Sequence, residues 1–219
     1  MRPLFSFILS FLPAMVATIA AAKPSQTECL GPTQAKGYVI YLHGFTPPEQ
    51  KTNEEGDNLE VLERLAKDLS LRIALPRGPL CPSGKLCWPA GDKNELLQSF
   101  AKARTETQAC WAGTPEYTLL GFSNGGYFAL KLYKAHSDPQ LTRIIASGSA
   151  GTWDEKVDRP HPTSSFAMMI GQQDITMKKA SQLANQLRKI IPGFRFEKFP
   201  GAHRLDYKTL SRLLQPAKP

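Results

Sequence analysis

The sequence has few cysteines and few histidines, four of each in 219 residues, and it contains no Cys-x-x-Cys pair. No cysteine has a histidine close by, so the common zinc frameworks are excluded and no metal is expected. There is no internal repeat and no low-complexity stretch, which excludes solenoids and disordered arrays. Basic residues outnumber acidic ones, 27 against 19, but they are scattered rather than gathered into a run. Surface solubility accounts for such a pattern, and no nucleic-acid partner is expected. A preference for anionic substrates or surfaces is the minor alternative.

The first 22 residues lack any acidic side chain. Met1-Arg2-Pro3 supplies one early cation, Leu4 to Ala22 is apolar, and Ala20-Ala21-Ala22 before Lys23 offers the small-x-small pattern that signal peptidase cuts. Pro13 and the small residues after it argue against a stable membrane span. The segment 1–22 is therefore read as a signal peptide, with an uncleaved anchor as the rival reading, and a secreted or periplasmic monomer is expected. What remains is about 200 residues, enough for one domain with a sizeable core. All four cysteines fall in it, and an even count in an exported chain reads as two disulfides. Cys81 and Cys87 bracket the compact Pro82-Ser83-Gly84-Lys85-Leu86 loop, which leaves Cys29 to pin the N-terminal tail to Cys110. Other connectivities stay open.

After a polar tail over 23–36, short apolar runs alternate with helical patterns. Strands are expected over 37–42, 71–75, 117–120, 143–147, 166–170 and 194–199, and helices from about residues 57, 93, 124, 176 and 205. Asp57-Asn58-Leu59-Glu60 gives an acidic helix start, and Thr176 is read as a helix cap. The strands are continuous apolar runs rather than alternating ones. That pattern predicts one α/β domain over 37–219, with a mostly parallel sheet of about six strands covered by helices on both faces.

In such a sheet the working groups belong at the carboxyl ends of the strands. Gly121-Phe122-Ser123-Asn124-Gly125 joins an apolar strand to a helix and fits a nucleophile elbow, in which a strained turn presents the serine Oγ. Asp174 follows the fifth of these strands and His203 the sixth. A serine needs a base within hydrogen-bond reach, His203 can take its proton, and Asp174 can orient the imidazole. Asp154 and Asp158 compete as the acid, but both precede the fifth strand. His136 and His161 compete as the base from less suitable positions, and His43 is read as a loop-shaping residue. Phe122, Trp88 and Trp153 are candidates to wall a substrate pocket, although a tryptophan in a small domain is as often core.

The order Ser…Asp…His, with these strand ends, resembles the α/β-hydrolase superfamily from Gly37 to the last helix. The pieces Leu42-His43-Gly44, Gly121-Phe122-Ser123-Asn124-Gly125-Gly126, Gly171-Gln172-Gln173-Asp174 and Gly201-Ala202-His203 are similar to the small phospholipase/carboxylesterase branch, which includes acyl-protein thioesterases. The export signal and the cysteines depart from the cytoplasmic thioesterases, and the hairpin that often precedes the first family strand is shortened. The resemblance implies an oxyanion hole from the backbone N–H groups of Asn124 and Phe45. It implies a serine hydrolase acting on a small-molecule or lipid-like ester or thioester, without a cofactor. A polyester depolymerase or serine peptidase on the same residues is the second enzymatic reading. A catalytically silent binding module is the reading from another class.

Overall fold

The computed structural model describes residues 27–215, apart from 51, 53, 55, 90, 114, 136, 137, 155–157 and 163. The expected signal peptide and the competitor His136 lie outside the described residues.

One seven-stranded sheet carries the domain. In chain order its elements are β1 (Glu28–Leu30), β2 (Gly37–Leu42), α1 (Asp57–Asp68), β3 (Leu71–Leu75), α2 (Lys93–Glu106), β4 (Tyr117–Phe122), α3 (Asn124–Ala135), β5 (Leu141–Ser147), β6 (Ser165–Gly171), α4 (Met177–Ile190), β7 (Arg195–Phe199) and α5 (Tyr207–Leu214). The strand order is β1-β3-β2-β4-β5-β6-β7, parallel except for β1. The chain moves outward from β2 to β3 and then crosses back to β4, so the direction of winding reverses between β2 and β4. A crevice opens at the carboxyl ends of two strands where winding reverses in this way. Leu42 and Gly121 are register partners there, so the residues after each strand emerge side by side.

The continuous apolar runs of the strands follow from burial on both faces. Along β2, Ile40 and Leu42 face a cluster with Phe100 of α2, Phe128 of α3 and Leu183 of α4. Val39 and Tyr41 face the opposite cluster with Leu62 and Leu65 of α1 and Leu210 of α5. Each fully buried leucine or isoleucine contributes roughly 1.5–3 kcal/mol, against about 1 kcal/mol net for one hydrogen bond. These two apolar layers hold the fold, and the polar contacts at the strand ends are left to set geometry.

Within the polar tail over 23–36, Glu28–Leu30 forms an antiparallel edge strand on β3, one strand more than the six expected. Three residues are too short for any periodic signal, and tertiary contacts decide the placement. The sulfurs of Cys29 and Cys110 lie at bonding distance, with Cα atoms 5.4 Å apart. Arg72 adds to the anchorage, its Nε donating to the Cys110 carbonyl at 3.1 Å and its Nη1 to that of Gly31. Cys81 and Cys87 form the second pair, with Cα atoms 5.9 Å apart. Loop-closure entropy scales with separation. The pair 81 residues apart is worth about 4.5 kcal/mol, and the pair 6 residues apart about 2.4 kcal/mol. The long bridge therefore stabilises the domain as a whole, whereas the short one shapes a loop.

Candidate active site

The elbow is built from β4, a tight turn and the head of α3. Ser123 sits at φ 52°, in the left-handed region that a residue with a Cβ seldom adopts. The turn is held by the Ser123 N–H donating to the Ser147 carbonyl at 2.9 Å and by the Tyr127 N–H donating to the Ser123 carbonyl at 3.0 Å. The flanking glycines are required by close approach. A Cβ at Gly121 would collide with the carbonyl of Gly125, and one at Gly125 with the carbonyl of Leu42. Gly125 donates its N–H to His43 at 3.1 Å, which draws the helix head against the end of β2. The helix begins at Asn124, and a first-turn N–H has no partner within its own helix. Strain and a helix-head N–H thus fall at adjacent residues.

Asp174 and His203 meet beside this turn. The Nδ1 of His203 lies 2.6 Å from Oδ2 of Asp174, and the two side chains are 40% and 0% exposed. Oδ1 of Asp174 accepts from both the N–H and the hydroxyl of Thr176, each at 2.8 Å. Burial pushes the carboxyl pKa up, but the Thr176 and His203 donors outweigh it and hold it below the usual value. The ionised carboxylate therefore fixes the hydrogen on Nδ1 and leaves Nε2 as the basic nitrogen. The loops bearing the two residues are joined by Gln173 N–H to the Gly201 carbonyl at 2.9 Å. The ring of Phe122, the residue before Ser123, lies 4.8 Å from the imidazole centroid. Gly148 passes under both rings, where a Cβ would come within 3.0 Å of Phe122 and 3.1 Å of His203.

Thr176 was expected to cap α4. It occupies the cap position, yet its side chain makes no capping bond and turns back to Asp174 instead. Short polar side chains make such local bonds readily, and the carboxylate two residues earlier is the stronger acceptor.

His43, after β2, is buried and cannot serve as an exposed base. Gly78 N–H donates to its Nε2 at 3.0 Å, so Nδ1 carries the hydrogen and donates to the Gly44 carbonyl at 2.6 Å. Burial lowers its pKa from 6.5 to about 4, with Arg77 helping and the Gly44 bond opposing. Between those values the unfolded chain binds a proton that the folded chain refuses, so stability falls as pH drops through this window. We expect wild type to lose about 2.5 kcal/mol more than His43→Gln between pH 7.5 and 4.5. Urea unfolding at both pH values measures it, and equal losses would show that His43 titrates normally.

No family model matches the sequence, and no curated protein matches it. Solved structures do match in shape. The esterase PE8 is 19% identical, with a TM-score of 0.59 over 88% of this chain and 98% of that one. The Bacillus cereus carboxylesterase is 14% identical, with a TM-score of 0.56 over 85% and 90%. Arabidopsis thaliana SOBER1 is 17% identical, with a TM-score of 0.55 over 80% and 94%. The chain has the α/β-hydrolase fold.

Within this α/β-hydrolase frame the remaining residues singled out in the sequence separate by position. Phe45 follows Gly44 on the loop beside the elbow, and a Cβ at Gly44 would lie 3.2 Å from that of Ser123. Trp88 is buried, its ring 5.2 Å from that of His43 and 5.8 Å from that of Phe128, and it lines a cavity together with Arg77, Pro79 and Ala103. Trp153 is also buried, against Tyr133 and Lys134 at the far end of α3. Nine residues at 1.5 Å each put that contact about 14 Å along the helix from Asn124. His161 is buried, its ring nitrogens facing the backbone N–H groups of Ser164 and Asp138. Asp158 receives Lys134 and the N–H of Asp154, both at 2.7 Å, which ties that loop to α3. Among the described residues no group of three or more His, Cys, Asp or Glu side chains is arranged to hold a metal ion.

Proposed function

We propose that the protein is an exported serine hydrolase that cleaves carboxylic ester or thioester bonds through an acyl-enzyme. The observation that carries this reading is the 2.6 Å Asp174–His203 contact, packed through Phe122 against the strained Ser123 turn. Ser123 Oγ attacks the acyl carbon as its proton passes to Nε2 of His203. Asp174 stabilises the imidazolium, and the N–H groups of Asn124 and Phe45 receive the oxyanion. Collapse breaks the bond to the leaving oxygen or sulfur, which takes the proton from His203. Water then repeats the sequence on the acyl-serine and releases the acid.

A small-molecule or lipid-like substrate is supported by where the exposed apolar side chains fall. Phe45 lies on the candidate oxyanion loop, Ile175 follows Asp174, Tyr127 lies in the first turn of α3, and all three are exposed. Assaying the protein on p-nitrophenyl esters of increasing acyl length, with a fluorophosphonate probe in parallel, tests the reading. Hydrolysis and one label per chain are expected, and absence of both overturns it.

Export is supported by the leading apolar segment and the two cysteine pairs. We expect exported protein to begin near Lys23 and to show no titratable thiol when denatured without reductant. N-terminal sequencing and thiol titration check this, and free thiols in fresh material would count against it.

A further inference from the structure

The hairpin closed by Cys81 and Cys87 takes no part in the acyl-transfer scheme, yet it is fastened to both segments assigned to the oxyanion hole. Its own turn is held by Cys81 N–H to the Lys85 carbonyl at 2.9 Å and by Cys87 N–H to the Pro79 carbonyl at 3.0 Å. On one side Thr46, the residue after Phe45, exchanges two backbone hydrogen bonds with Leu86, at 3.1 and 2.8 Å. Just before the hairpin, Gly78 donates to the buried His43 that shapes the start of the same loop. On the other side the Asn124 side chain spans the backbone of Trp88. Its Oδ1 accepts the Trp88 N–H at 2.6 Å, and its Nδ2 donates to the Trp88 carbonyl at 3.4 Å.

The two proposed donors sit on elements of different rigidity. The N–H of Asn124 is carried by a helix, whereas Phe45 lies on a loop with its side chain 56% exposed. A hole made from two separate segments works only if their separation is set before the reaction, because stabilisation depends on donors already aimed at the developing charge. A chain of contacts from Asn124 through Trp88, the closed hairpin and Thr46 to Phe45 meets that need.

We propose that the Asn124 side chain and the Cys81–Cys87 hairpin form a strap that sets the distance between the Asn124 and Phe45 N–H groups, with the Asn124 amide as a positioning group. This rests on the serine hydrolase reading. A strap acts on the transition state, so its loss lowers kcat and kcat/KM together and leaves KM nearly unchanged. A merely structural amide would lower the melting temperature and leave those constants alone at temperatures where the protein is folded.

The test uses the full chain with Asn124→Ala, assayed on a p-nitrophenyl ester, with a trifluoromethyl ketone that adds to the serine as an oxyanion, and with the fluorophosphonate probe. We expect kcat/KM to fall about 100-fold, the scale of a misplacement of roughly 1 Å, and the ketone to bind more weakly by a similar factor. One label per chain should remain. Cys81→Ser/Cys87→Ser, which leaves the Cys29–Cys110 pair in place, should shift both constants in the same direction. Adding Asn124→Ala to it should cost no more than Asn124→Ala alone, since both changes cut one chain of contacts. Unchanged kcat/KM and ketone affinity in a labelled Asn124→Ala variant overturn the strap. If that variant does not fold, unchanged constants in the cysteine variant overturn it instead. A wild type that neither labels nor hydrolyses overturns the hydrolase reading, which is a different result.

Discussion

Replacing Ser123 by alanine is expected to lower ester hydrolysis about a million-fold, on the order of what is lost when the nucleophile of a Ser-His-Asp set is removed. The size of the loss follows from what the other groups can do alone. Without Oγ there is no acyl-enzyme, so His203 and the oxyanion donors could assist only direct attack by water. The fold should survive, because alanine meets the same φ penalty at 52° as serine does, and the backbone bonds to Ser147 and Tyr127 do not use the hydroxyl. The fluorophosphonate probe should label wild type once and the variant not at all. Labelling of the variant at the wild-type level would falsify the assignment of Ser123, whatever the residual rate.

The second large effect is expected at Asp174. Asparagine can keep its oxygen on Thr176, since the N–H and hydroxyl of Thr176 reach Oδ1 and His203 reaches Oδ2. The amide nitrogen would then face Nδ1 as a donor, and the imidazole would have to place its hydrogen on Nε2, the nitrogen needed as a base. We expect kcat to fall about 10⁴-fold with little loss of stability. Asp158→Asn should show the reverse. Its carboxylate holds Lys134 and the N–H of Asp154, so stability should fall while kcat stays within about threefold. Asp154→Asn should leave kcat unchanged as well. Kinetics at saturating ester, with melting curves of the same samples, separate the three. If Asp154→Asn or Asp158→Asn is the crippled variant, the acid lies in the loop before β6. If all three keep wild-type kcat, a Ser–His dyad suffices.

Much of the scaffold was legible because its signals are local. A buried parallel strand needs a continuous apolar run, and the runs 37–42, 71–75 and 166–170 match β2, β3 and most of β6. The spacing of Gly121 and Gly125 around Ser123 was legible for a similar reason. Strand and helix collide at those two positions with any larger residue, so the requirement falls within five consecutive residues. The helix expected from about residue 93 ends as α2 at Glu106 and continues as a 3₁₀ turn over Thr107–Ala109.

The sequence by itself determined the succession of strands and helices, the elbow at Ser123, and the placement of Asp174 and His203 after consecutive strands, since each depends on neighbours within a few positions. It left open which cysteines pair, and it held no sign of β1, whose place depends on a partner 81 residues away. It could not reveal that the Asn124 side chain grips Trp88, 36 residues earlier, or that Thr176 serves Asp174 in preference to its helix. Nor could it give the distance of Trp153 from Asn124, which is set by the length of α3 and not by the chain between them. Contacts of this kind are selected by burial and by competition among donors in three dimensions, and only the folded sheet brings those competitors together.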